Sequence, residues 1–159
     1  MPLVKRFEDL QAWQEARSVT QRVYKLTQEP EFRRDYGLVD QVRRASVSVM
    51  NNIVEGFDSG SSAEFVRFLG YARRSGSEVQ SCLYVALDQR YVSQTKFQEM
   101  YESVERARSL IAGFIRYLRR GRTSPDTYAR RNTGTDEHTH AGTSERPHAG
   151  TYARTNVGT

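Results

Sequence analysis

Four stretches of this chain place an apolar residue at every third or fourth position, and none of them extends beyond residue 120. In the first, Phe7, Leu10, Trp13, Ala16, Val19, Val23 and Leu26 recur at a helical period over residues 7–29. Pro30 is expected to stop that helix, because the residue before proline is pushed out of the α region. The second stretch, from about Tyr36 to Glu55, carries Leu38, Val39, Val42, Ala45, Val49 and Ile53. Its run Ser46–Met50 alternates like a strand, but a strand there would break the helical period on both sides. The reading is therefore helix, with Gly56 as its C-terminal cap and Asp58–Gly60 as loop. In the third stretch, Ser61 followed by Glu64 predicts a capping box ahead of Phe65, Phe68, Leu69, Ala72, Gly76, Val79, Leu83, Ala86 and Leu87. Gly70 and Gly76 each cost about 1 kcal/mol against alanine in a helix, which close approach of a neighbouring helix would offset. In the fourth, Ser93 caps Gln94–Arg120, with Phe97, Tyr101, Val104, Ala107, Ile111, Phe114, Ile115 and Leu118 on one face and Gly121 and Pro125 at the end. Long amphipathic helices joined by short links predict an all-α fold, an up-down-up-down four-helix bundle over residues 1–120.

Residues 121–159 read differently. Thr127–Gly134, Thr135–Gly142, Thr143–Gly150 and Thr151–Gly158 are units of eight that open on Thr and close on Gly. Repeats often announce a solenoid, but Tyr128, Tyr152 and Val157 are the only sizeable hydrophobes these units have to bury. Ordering each residue costs about 1–2 kcal/mol of backbone entropy, so the expectation is a disordered low-complexity tail. His138, His140 and His148, all the histidines of the chain, lie there.

The bundle segment therefore contains no histidine, and the chain has one cysteine, Cys82. A His-based triad, an HExxH zinc site, a CxxC motif and an internal disulfide are excluded there, and no metal, cofactor or catalytic residue is expected. No apolar run reaches the length of about 18 that a membrane helix needs, and the first residues lack a signal-peptide block. The expectation is a cytoplasmic protein without a membrane partner.

Residues 1–120 hold 19 Lys and Arg against 15 Asp and Glu, a net charge of +4. Of the 24 basic residues in the whole chain all but Lys5, Lys25 and Lys96 are arginine. Arginines are doubled at Arg33 and Arg34, Arg43 and Arg44, Arg73 and Arg74, and Arg119 and Arg120. Guanidinium forks suit bidentate phosphate contacts and stacking on bases, so these eight are the candidate nucleic-acid contacts. The competing reading is a set of surface ion pairs, with Asp40 to Arg44, Glu102 to Arg106 and Glu105 to Arg108 at helical spacing. Trp13, Tyr24, Tyr36, Tyr71, Tyr84, Tyr91, Tyr101 and Tyr117 are either stacking platforms for bases or core and interface residues. Asn52 and Glu55 lie three apart on one helix, as do Ser75 and Glu78. Polar residues near a core seam can fix helix register or join subunits. Glu55 sits near a helix C-terminus, where the dipole disfavours an anion, so a positive or hydrogen-bonding partner is expected. A Glu55–Glu78 acid and base pair would need a cleft, which a narrow bundle does not offer.

In order, the motifs Phe7-x-x-Leu10-x-x-Trp13, Asn52-Ile53-Val54-Glu55-Gly56, Glu64-Phe65 and Ser75-x-x-Glu78 resemble the four-helix-bundle family of 23S rRNA-intervening sequence proteins over about residues 5–119. That family includes the accessory variability proteins of diversity-generating retroelements. The resemblance implies a ring-like homopentamer and, in the retroelement branch, RNA or DNA bound through a basic surface with a reverse transcriptase as partner. Five copies would raise the bundle's charge to about +20, enough to steer a polyanion. A scaffolding bundle that binds only protein is the alternative.

Overall fold

The computed structural model describes residues 4–121. The eight-residue repeats and the disorder expected of them lie outside the described residues. Four helices account for most of the rest: α1 (Gln11–Leu26), α2 (Tyr36–Asp58), α3 (Ser62–Asp88) and α4 (Gln94–Gly121). Each packs on its neighbour in sequence, and α1 also packs on α4, which closes an up-down-up-down bundle.

The ends of α1 differ from the sequence reading. Phe7–Asp9 form a separate 3-10 turn, because Leu10 is extended at φ −76° and ψ 120°. The Leu10 carbonyl then accepts from the amides of Trp13 and Gln14 and starts α1 afresh. The helix stops at Leu26, ahead of Pro30, where the Thr27 hydroxyl turns back onto the Tyr24 carbonyl at 3.1 Å. A second 3-10 turn, Phe32–Arg34, carries Phe32 into the core.

Asp35 caps α2 by accepting from the Leu38 amide at 3.0 Å. The alternating run Ser46–Met50 is helical, because Val42, Ala45, Val49 and Ile53 are then all buried on one face. Gly56 does not end this helix but lies inside it, buried. A Cβ added there would stand 2.5 Å from Phe65 Cδ2 of α3, so the position has room only for hydrogen. Half of the expected capping box forms at α3: Ser61 Oγ accepts from the Glu64 amide at 3.3 Å, while the Glu64 carboxylate pairs with Arg67 at 2.7 Å. The two glycines of α3 also part company. Gly76 lies under the Arg108 side chain of α4, whereas Gly70 has nothing within 4 Å and admits no neighbour.

The C-terminus of α3 carries a Schellman motif without glycine. The amide of Tyr91 bonds the Ala86 carbonyl at 2.8 Å and that of Arg90 bonds Leu87 at 2.9 Å. The left-handed position belongs to Arg90, at φ 60°. This turn sends the Tyr91 ring onto Phe32, with centroids 5.6 Å apart, and its hydroxyl to Asp35 at 3.2 Å. Burial first, and the Asp35 charge next, push the Tyr91 phenol above its usual pKa. Ser93 then accepts from the Lys96 amide and opens α4.

The core forms two clusters. One gathers Val23, Phe32, Val42, Leu83, Phe97 and Val104 at the end of the bundle that holds the α1–α2 and α3–α4 links. The other gathers Leu10, Ala16, Ile53, Phe65, Leu69, Ile111 and Leu118 at the opposite end. Where they meet lie the small and polar buried residues Thr20, Ser46, Ser75 and Gly76, with Gln80 and Ser103 buried beside the first cluster. Thr20 Oγ1 spans from α1 to the Ser46 carbonyl of α2 at 3.1 Å, and Ser48 and Ser75 join α2 to α3 through their hydroxyls at 2.9 Å.

Two substitutions test this packing in thermal or denaturant unfolding. Gly56→Ala is expected to lower stability by about 2 kcal/mol through overpacking against Phe65. Arg90→Gly is expected to raise it by about 1 kcal/mol through relief of the left-handed strain.

Candidate nucleic-acid interface

The eight doubled arginines do not form one surface. Arg33 and Arg34 lie exposed in the α1–α2 link, and Arg34 pairs with Glu31 at 3.1 Å. Arg119 and Arg120 close α4 at the other end of a helix about 42 Å long. Arg73 and Arg74 are exposed midway along α3, with the Arg74 guanidinium 5.7 Å from the Tyr71 ring centre. Arg44 is exposed on α2 and within 3.5 Å of Asp40. Arg43, next to it, is half-buried and turned inward: its Nε donates to Thr27 Oγ1 at 2.8 Å and its guanidinium lies 4.7 Å over the Tyr24 ring.

The ion pairs expected from spacing form in part. Arg44 pairs with Asp40 and Arg108 with Glu105, but Arg106 reaches across to Glu15 of α1 at 3.5 Å. Glu102 accepts instead from Gln98. Arg108 Nη1 also donates to Gln80 Oε1 at 2.7 Å, so a cation, an amide and a carboxylate tie α3 to α4.

The cations that doubled-arginine spacing misses are on α1. Arg17, Arg22 and Lys25 are all exposed, and the sole acid within α1, Glu15, is engaged by Arg106. None of the three has a carboxylate partner among the described residues, and neither do Arg33 and Arg43 nearby. Their signal in the sequence is an absence of acids opposite isolated cations, not a run of like charge. Trp13, Arg17 and Tyr24 stand at i, i+4 and i+11, on one edge of α1. Thr20, at i+7, reaches α2, so that edge faces α2. The Arg17 guanidinium lies 5.8 Å from the Trp13 ring centre, as Arg43 lies over Tyr24. Across the groove, α2 presents Val39, Arg43, Ser46 and Met50, with no acid among them.

The motif polar residues meet in part, on the other side of α2. Asn52 Nδ2 donates to the Ser48 carbonyl at 2.8 Å and to Ser48 Oγ at 3.1 Å, and Ser48 holds Ser75 of α3. Glu55 and Glu78 are exposed and stand on opposite sides of that level, about 15 Å apart along the helix axes. They are not a pair, and the partner expected for Glu55 is not found among the described residues. Cys82 is buried, and burial, with the Glu78 charge beside it, raises its thiol pKa. Among the described residues no cluster of His, Cys, Asp and Glu could hold a metal ion, and no helix is long and apolar enough to cross a membrane.

A family model described as 23S rRNA-intervening sequence protein matches residues 8–113. A crystal structure from Bacteroides thetaiotaomicron, of a protein with unknown function from the S23 ribosomal protein family, superposes with a TM-score of 0.60. The two share 18% identity over 65% of this chain and 97% of that one, a likeness of fold. No curated protein matches the chain.

The geometry separates the two arginines of one doublet. Arg43→Ala is expected to lower stability by about 1 kcal/mol, through loss of the Thr27 hydrogen bond and the Tyr24 contact. Arg44→Ala, which removes only a surface ion pair, is expected to change it by less than about 0.5 kcal/mol. Paired denaturant melts check both.

Proposed function

Because this chain belongs to the 23S rRNA-intervening sequence protein family, we propose that it is a cytoplasmic, non-enzymatic bundle that binds nucleic acid through its α1–α2 face. The reading includes assembly as a homo-oligomer, a pentamer by the family resemblance, and service beside a reverse transcriptase as its specialised form. The observation that carries it is that Arg17 and Arg43 line this face and Arg33 the adjoining link, with Arg22 and Lys25 elsewhere on the exposed surface of α1, all without carboxylate partners among the described residues. Such cations are free to displace counterions from phosphates, which gives affinity without sequence preference. Arg34 and Arg44 lie beside them but already share their charge with Glu31 and Asp40.

The scaffolding alternative draws on exposed apolar side chains, among them Tyr36, Tyr84, Val85, Leu110 and Tyr117. These are spread over three helices, and a binding mode built on them would respond weakly to salt.

A salt titration of RNA retention on filters, with the full-length chain, separates the two. Replacing Arg17, Arg22 and Lys25 together by Gln is expected to flatten the slope of log K against log salt by about 2. An unchanged slope rejects α1 as the helix that meets the phosphates, and retention that ignores salt favours the scaffold. Light scattering with and without RNA gives the subunit number on the same samples.

A further inference from the structure

We infer that the α1–α2 groove holds unpaired bases, stacked at the Trp13–Arg17 and Tyr24–Arg43 pairs, so that the protein prefers a single strand to a duplex. The inference rests on the nucleic-acid reading above and names the class of ligand. Phosphate neutralisation alone needs cations and no rings. Two of the unpaired cations, those on the facing edges of the groove, lie over rings, at 5.8 Å for Arg17 on Trp13 and 4.7 Å for Arg43 on Tyr24. A guanidinium held against a ring can offer a flat face to a base, and bases reach such planes when they are not already paired. Arg43 is held for this by its Nε, which Thr27 engages, while its other donors meet no protein acceptor among the described residues.

The groove also fits a strand in length and in lining. Arg17 and Tyr24 are seven residues apart on α1, about 10 Å along the axis, which is about three stacked-base steps of 3.4 Å. Met50 of α2 supplies apolar surface near the Trp13–Arg17 station and Val39 just beyond the Tyr24–Arg43 station, and no acid lies on either facing edge. The α3–α4 groove is the internal contrast. Tyr84 and Tyr101 place rings there, 5.8 Å apart, but Glu105 lies on the same seam and the Arg108 charge is taken up by it. Rings without a free cation, beside a carboxylate, do not suit a polyanion.

Fluorescence anisotropy with the full-length chain tests this, using an oligouridine of about 12 nucleotides and an RNA duplex of equal length at one salt concentration. The strand is expected to bind about tenfold more tightly than the duplex. Arg17→Lys, which keeps the charge of an exposed residue and loses the planar face, is expected to cut that preference several-fold, as are Arg43→Lys and Tyr24→Leu. Trp13, the one tryptophan of the chain, should be quenched more by the strand than by the duplex at equal occupancy. Equal affinity for the two probes, or a preference that survives all three substitutions, overturns the inference and leaves nucleic-acid binding standing. Failure to bind either probe overturns the nucleic-acid reading and this inference together.

Discussion

The bundle depends on the layer where its two apolar clusters give way to small and polar side chains. Thr20 bonds the Ser46 carbonyl, Ser48 bonds Ser75, and Gly76 makes room for the Arg108 stem on its way to Gln80 and Glu105. Each hydrogen bond contributes only about 1 kcal/mol net, but each would be lost, and its groups left dry, by a slip of one residue. Leucine-like side chains tolerate neighbouring registers, whereas a hydroxyl that must meet a carbonyl does not. The layer thus fixes the axial position of all four helices, and through them the position of every surface side chain.

That fixing has a chemical result on the α1–α2 side. Thr20 ties the edge of α1 that carries Trp13, Arg17 and Tyr24 against α2, so Arg43 comes to lie over Tyr24. The α3–α4 seam uses its arginine differently, with Arg108 consumed by Gln80 and Glu105. Two grooves of one bundle, both with aromatic side chains, therefore differ in the charge left over. The α1–α2 groove keeps its cations, whereas in the α3–α4 groove Arg108 and Glu105 neutralise each other.

Most of the fold was legible in the sequence because helical periodicity is a local signal. The stripes through Val42, Ala45, Val49 and Ile53, and through Ile111, Ile115 and Leu118, are buried as spacing predicts. What was not legible depends on distant partners. Gly56 looks like a cap until Phe65 of another helix is placed against it, and Arg90 occupies a left-handed turn that normally advertises itself with glycine. Pro30 was too obvious a stop: the chain had already left the helix at Thr27. The candidate interface was half legible. Doubled arginines stand out in a sequence, yet they scatter over both ends of the bundle, while Arg17, Arg22 and Lys25 draw attention only when the partners of every acid are known. The rings at Trp13 and Tyr24 were visible as residues but not as supports for guanidinium groups.

Arg43 has one more consequence, in conformational entropy. A free arginine side chain gives up about 2 kcal/mol of rotamer freedom when a ligand immobilises it. Here the Thr27 hydroxyl and the Tyr24 ring restrain it as the chain folds, before any partner arrives. Its loss of freedom belongs to the stability of the bundle and not to the affinity of the complex. A flexible lysine in its place would carry the same charge and meet each encounter with that entropy still to lose.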